Sequence, residues 1–290
     1  MGLRLKFNLA MLAVFGLGLA ASAYVSYQLL QKNARDEVLR SAGVMMEAAL
    51  AMRSYTIGHV RPNLKPMEEV FLPESVPSFS ATEIMASLRK THPDYAYKEA
   101  ALNPTNPRNR AVEWEADIIN EFRNHDERRE ISGTRMTPTG LTMYLARPLR
   151  IEDGACLACH STAGSAPVSM LKLYGPANGF GWRLNEAIGA QIVSVPMDLA
   201  IAKANRAFFT FIGSLAGVFA LLFVILNVML SFLIVRPIRI MAAAADKIST
   251  GALDIPELPD AGRDEVSLLA RSFNRMRRSL EKAISLIDDK

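Results

Sequence analysis

The chain of 290 residues contains two cysteines, and both fall in Cys156-Leu157-Ala158-Cys159-His160. Two thiols three positions apart, followed directly by an imidazole, suit one chemistry closely. The thiols add across the two vinyl groups of a single haem, and the histidine lies under the iron as its proximal ligand. Rival chemistries fit less well. Zinc requires four ligands, and no second Cys/His pair is spaced to complete a tetrahedron. A thioredoxin-like dithiol belongs at a helix N-terminus after a strand, not in a Gly-flanked loop. A disulfide across two residues would be strained. The spacing therefore predicts one haem c per chain, attached through Cys156 and Cys159 and ligated by His160.

The sixth iron position must be filled from elsewhere. His59 falls on a predicted long helix, where Met52, Tyr55 and His59 share one face at i, i+3, i+7. Met45, Met46 and Met52 are thioether candidates on the same helix, although methionine at helical spacing is ordinarily core. Water, or an empty position, is the third alternative, and His59 also has an ordinary reading as a capping or core histidine. His125, in the charge-rich Arg123-Asn124-His125-Asp126-Glu127-Arg128, reads as solvated, and His92 before Pro93 reads as a turn residue. Tyr97, Lys98 and Arg110 could pair with haem carboxylates, but an ordinary surface role fits them better. Glu113, Glu115 and Asp117, around Trp114, alternate about a helix axis and do not converge as an acid–base pair would. No catalytic residue is expected, and the chain is not expected to be an enzyme.

What must position this motif is set by two charge-free runs, residues 7–31 and 207–235. They account for a mean hydropathy of +0.13, high for a water-soluble protein. Twenty-nine helical residues reach about 44 Å, enough to cross a hydrocarbon core of roughly 30 Å. The first run also resembles a signal peptide, with Arg4 and Lys6 ahead of it and Ala21-Ser22-Ala23 as a cleavage-like site. The apolar stretch nevertheless continues through Tyr24, Val25, Tyr27, Leu29 and Leu30, which favours an uncleaved anchor. Arg4 and Lys6 hold the N-terminus inside, and Arg236 and Arg239 mark the inner end of the second run. The expected order is an anchor (1–31), an exported domain (32–206), a second span (207–235) and a cytoplasmic segment (236–290). Lys and Arg number 33 against 29 Asp and Glu, and both signs are interspersed, so no basic face points to nucleic acid.

Within 32–206 the periodicity predicts a helix over 33–60 running on from the first span and stopped by Pro62. A proline-rich strap follows over 63–79, then helices over 81–90 and 109–129 separated by the turn Asn103-Pro104-Thr105-Asn106-Pro107. A hairpin joins Thr134–Thr137 to Leu141–Ala146, and Ile188–Val195 is an apolar strand closed by Pro196. Helices, strands and a last strand leading into a span make an α+β, PAS/Cache-like sensor layout.

After the second span, Arg236-Pro237-Ile238 opens a short helix bearing Met241, Ala244, Ala245 and Ile248. Gly251 and Leu253 break it, and a connector with Pro256 and Pro259 leads to Asp264-Glu265. Val266, Leu269, Phe273, Met276, Leu280, Ala283 and Ile287 then step by 3 and 4, an a/d seam. Helix, connector, Asp-Glu and a helix with Phe-Asn-x-Met resemble a HAMP domain over 236–288. Helices this short cannot bury their seams alone, so a homodimeric four-helix bundle is implied.

A second resemblance covers most of 35–200. Tyr97-Lys98-Glu99-Ala100, Asn103–Pro107, Trp114–Asp117, Cys156–His160 and Gly179-Phe180-Gly181-Trp182 together resemble a bacterial haem c domain family long catalogued as a domain of unknown function. That family occurs alone or ahead of HAMP, histidine-kinase and chemoreceptor modules. The resemblance implies a PAS-like fold with one haem c that senses redox state or a diatomic ligand such as O2, NO or CO. A cysteine axial ligand is associated with the family; here both cysteines are used in attachment, so the sixth ligand must differ. The expectation is a multi-pass sensor of the bacterial inner membrane, with its haem domain in the periplasm and its HAMP in the cytoplasm. Its output would pass to a separate protein of the kinase or chemoreceptor type. The rival expectation is an anchored electron-transfer cytochrome beside a respiratory or photosynthetic complex.

Overall fold

A computed structural model describes residues 2–64, 70–252 and 254–288, with side chains described through residue 284. Part of the strap (65–69) and Leu253 lie outside the described residues, as does the side chain of the seam residue Ile287. The chain divides into two compact units, residues 27–207 and residues 1–26 with 208–290.

Helix α1 (Leu3–Tyr55) runs unbroken from the N-terminal apolar run into the unit 27–207, as its continuous periodicity predicts. It does not stay α-helical up to Pro62. Thr56–Val60 forms a π-turn and Arg61–Asn63 a 3-10 turn with Pro62 at its start. The Thr56 hydroxyl, buried, donates to the Met52 carbonyl within this region. Then come α2 (Pro77–Thr91), β1 (Ala96–Ala101), α3 (Glu113–Asn124), β2 (Ile131–Thr137), β3 (Gly140–Arg150), the single turn α4 (Leu157–His160), α5 (Val168–Tyr174) and β4 (Ala187–Pro196).

The four strands form one antiparallel sheet in the order β1-β4-β3-β2. The apolar run of β4 does not alternate because β4 is covered on both faces. On one face Val38, Ala42 and Met46 of α1 pack against Met143, Leu145, Val193 and Val195. On the other, Ile118, Ile119 and Phe122 of α3 pack against Ala100, Ala146, Ala190 and Ile192. The helix over 109–129 is shorter than its periodicity predicts: α3 ends at Asn124, and the exposed His125 faces the carboxylates of Glu121 and Glu127.

No sequence pattern announces strand β1, and its composition explains why. Lys98 and Glu99 sit mid-strand yet are both paired. Lys98 Nζ lies 2.6 Å from Glu115 Oε2 on α3, and Glu99, 1% exposed, is bonded by Arg53 of α1. Each face of β1 thus carries a charge matched by the helix that covers it.

The second unit holds two helical stretches long and apolar enough to cross a membrane, within Leu3–Asn63 and Asp198–Ser249. Phe15 of α1 stacks on Phe219 of α6 (Asp198–Met229) at 5.0 Å between ring centroids. The π-turn Leu230–Val235 carries α6 into α7 (Arg236–Ser249), and a connector joins α7 to α8 (Glu265–Asp288). Met241, Leu258 and Ala270 make a small core against which Val266 and Phe273 pack. Leu269, Met276 and Leu280 remain 55%, 51% and 40% exposed. One chain therefore covers only part of the predicted seam.

The buried Asn274 binds the connector at both main-chain groups of Leu258: the Leu258 N–H donates to Oδ1 at 3.0 Å, and Nδ2 donates to the Leu258 carbonyl at 2.9 Å. Asn274→Ala should leave both unpaired and destabilise this helical pair by about 2 kcal/mol or more. Thermal melting followed by circular dichroism in detergent checks this, and an unchanged transition would contradict it.

Candidate functional site

Three loops leave the same end of the sheet, because β4 runs antiparallel to both β1 and β3. Ala101, at the C-terminus of β1, pairs with Gly189 near the N-terminus of β4, and Leu149 near the C-terminus of β3 pairs with the same glycine. The loop after β1 carries Asn103–Pro107, the loop after β3 carries Cys156–His160, and the loop before β4 carries Gly179–Trp182. The sheet register thereby gathers three motifs that lie far apart in sequence.

They converge on His160. Its Nδ1 lies 2.7 Å from the Gly179 carbonyl, and since a carbonyl only accepts, Nδ1 carries the proton and donates. The lone pair is then on Nε2, the arrangement of a metal-ligating histidine whose other ring nitrogen is held by a second partner. Burial pushes the His160 pKa below its usual value, outweighing the opposing Gly179 bond. The ring is neutral at neutral pH, the form that binds iron. The Trp182 indole stacks on it at 4.0 Å and 17°, which fixes the ring plane. The main chain closes the arrangement: the Trp182 N–H donates to the His160 carbonyl at 3.3 Å and the Gly181 N–H to the Ser161 carbonyl at 3.0 Å. Asn103 joins the first loop to the third, accepting from the Gly179 N–H at 3.2 Å and donating to the Phe180 carbonyl at 3.2 Å.

Both cysteines are half-buried, and neither is in a disulfide. The Cys156 N–H donates to the Asp153 carbonyl, and the Asp153 carboxylate accepts from the Ala155 N–H at 2.8 Å. Burial, reinforced by the charge of Asp153, pushes the Cys156 thiol above the usual range, while Arg61 and Arg53 act against it. Cys159 packs beside Phe71, Ala166 and Met170 in an apolar cluster that also includes Phe180. Two thiols and an imidazole with its Nδ1 tied back form a donor set that fits covalent haem. Among the described residues no cluster of three His, Cys, Asp or Glu side chains could hold a bare ion.

Of the sixth-ligand candidates, Met46 is fully buried in the core between α1 and the sheet, and Met45 packs against the same cluster. Met52 is half-buried at the end of α1, and His59 is exposed on the π-turn, its ring 5.1 Å from that of Tyr55. The π-turn alters the angular spacing that an unbroken helix would give Met52, Tyr55 and His59. His92 ends α2 beside Tyr95, as a turn residue should. Tyr97 donates to Glu99 at 2.7 Å, Lys98 pairs with Glu115, and Arg110 donates to Asn178 at 3.0 Å. Glu115 also accepts from the Val112 N–H at the start of α3, a structural duty. Sequence reasoning marked Gly179 and Thr105 only as motif positions, without their roles at His160, and missed Arg53.

Comparison with known families matches residues 31–196 to the Tll0287-like family and residues 229–282 to the HAMP domain. None of the curated proteins compared matches the chain. A solved structure described as that of the cyanobacterial heme-protein Tll0287 is similar at 17% identity and a TM-score of 0.45, over 55% of this chain and 95% of that one.

Gly179 has φ +82°, and a Cβ there would lie 2.1 Å from Thr105 Oγ1 and 2.7 Å from Thr105 Cα. Gly179→Ala should destabilise the domain by about 1–3 kcal/mol and displace the carbonyl that holds His160. Adding Thr105→Ala should not restore it, because the clash with the main chain of residue 105 survives. A wild-type melting temperature in Gly179→Ala would contradict this reading.

Proposed function

Because the chain belongs to the Tll0287-like family, a heme-protein family, and carries a HAMP domain, we propose that it is a membrane-anchored haem c sensor and not an enzyme. The observation that carries the reading is the His160 ring, neutral, stacked and tied through Nδ1 to Gly179, beside two thiols at attachment spacing. In this reading Cys156 and Cys159 form thioethers to one haem, His160 Nε2 is the proximal ligand, and the domain is PAS-like. When bound, the haem supplies an iron that changes oxidation state or takes a diatomic ligand. The chain's own part is to hold the imidazole neutral and oriented, and to shield one side of the site with Phe71, Met170 and Phe180.

The haem domain faces the periplasm and the HAMP the cytoplasm, following the placement of Arg4, Lys6, Arg236 and Arg239. Chain continuity supports a relay. Strand β4 ends at Pro196 and α6 begins at Asp198, and α6 passes through one π-turn into α7. The exposed Leu269, Met276 and Leu280 are the face that a second copy covers in a four-helix HAMP bundle. A difference of a few kcal/mol between two bundle packings suffices to shift populations decisively. The bundle hands its state to a downstream output of the kinase or chemoreceptor type.

The test is expression with a cytochrome c maturation system. Denaturing gels should show haem peroxidase activity at the mass of the chain, and Cys159→Ala should lose most of it. An intact mass equal to that of the bare polypeptide would refute the proposal. For the sixth position we assign His59 ahead of the methionines, since Met45 and Met46 are committed to the core. His59→Ala should convert a low-spin ferric spectrum to high spin, whereas an unchanged spectrum moves the assignment to Met52.

A further inference from the structure

A haem brings two carboxylates as well as an iron, and three of the cations near the site loops already have partners. Lys98 is paired with Glu115 at 2.6 Å, Arg108 with Glu83 at 2.5 Å, and Arg110 with Asn178. Arg53 is different. Its Nη1 lies 2.7 and 2.6 Å from the two oxygens of the buried Glu99, which also accepts from the Tyr97 hydroxyl at 2.7 Å. Among the described residues nothing accepts from its Nε or Nη2, and its side chain keeps 21% of its exposure. The guanidinium is held along one edge while another edge of its planar fork remains available.

Its place in the fold points that edge's function toward the haem. Helix α1 advances along the sheet toward the end from which all three site loops leave. Met46 packs with Met143 and Val195, Glu47 pairs with Arg147 at 2.7 Å, and Arg53 pairs with Glu99 in the last turn. The charges of Arg61 and Arg53 both reach the Cys156 thiol, and of the two Arg53 is the one fixed by a buried carboxylate. We propose that Arg53, fixed by Glu99 and Tyr97, binds one propionate of the haem through the part of its guanidinium that Glu99 leaves free. This rests on the haem reading above and assigns a role in that site to the end of the helix that continues from the first apolar run. Glu99 and Tyr97 are positioning residues for it.

The experiment uses the full-length holoprotein loaded with haem carrying 13C in its propionate carboxyls, read by redox-difference infrared spectroscopy. Arg53→Gln should shift the labelled carboxylate bands of one propionate toward those of a solvated carboxylate. Arg53→Lys should return them part of the way. The double variant Arg53→Gln/Glu99→Gln removes both buried charges together, guards against a folding failure of the single variant, and should show the same shift. Arg128→Gln, remote on the Glu121 pair at 3.0 Å, should not. Labelled bands unchanged in both Arg53→Gln and the double variant overturn the assignment while leaving the haem reading intact. Failure of the unaltered protein to attach labelled haem overturns both.

Discussion

The hydrogen bond from His160 Nδ1 to the Gly179 carbonyl is the constraint on which the site depends. For that carbonyl to point at the ring, residue 179 adopts a left-handed backbone at φ +82° and passes so close to Thr105 that a Cβ would lie 2.7 Å from the Thr105 Cα, which favours glycine. For the loop to stay there, Asn103 must bind the main chain on both sides of residue 179. For Asn103 to be within reach, β1 must lie beside β4 and end where β4 begins. A single ring orientation therefore draws on the register of the whole sheet. A histidine in this arrangement cannot turn to offer Nδ1, so one nitrogen and one direction remain for a metal.

The charged side chains of β1 do comparable work away from His160. Lys98 reaches Glu115 of α3 and Glu99 reaches Arg53 of α1, so each covering helix is tied to the same edge strand by an ion pair. A buried pair of this kind contributes little to net stability over an apolar alternative, yet losing one partner costs roughly 3–5 kcal/mol. Its value lies in fixing register. Helix α1 cannot slide along the sheet without moving Arg53 away from Glu99. Since α1 carries the first apolar run and β4 leads directly into the helix of the second, both apolar stretches are joined to the elements that build the site.

The site was legible in proportion to how local its chemistry is. Cys156–His160 stood out as a motif because its spacing lies within five residues. The two apolar runs and the HAMP series could be read because long periodic patterns leave few alternatives. Strand β1 could not, since Lys98 and Glu99 look like surface residues until α3 and α1 supply their partners. The helix expected over 109–129 ended at Asn124 because the charged run after it makes ion pairs and does not continue the helix. The π-turn at Thr56–Val60 leaves no mark in the apolar spacing, and it changes where His59 falls. Asn103–Pro107 and Gly179–Trp182 stood out as motifs. Their meeting at His160 depends on strand register between residues about eighty positions apart, which no local pattern encodes.

If the state of a haem held at His160 biases the packing of the HAMP helices, the effect must be readable at the seam between two chains. Leu269, exposed on α8 in a single chain, is the position at which to measure it. Leu269→Cys in membrane vesicles can be linked to its counterpart with a bifunctional maleimide while the haem is ferric, ferrous or ferrous with CO. Cross-linking rates should differ between at least two of these states. The difference should vanish in a Cys156→Ala/Cys159→Ala background lacking attached haem. Equal rates in all three states of a fully loaded protein would contradict the relay and favour an anchored electron carrier.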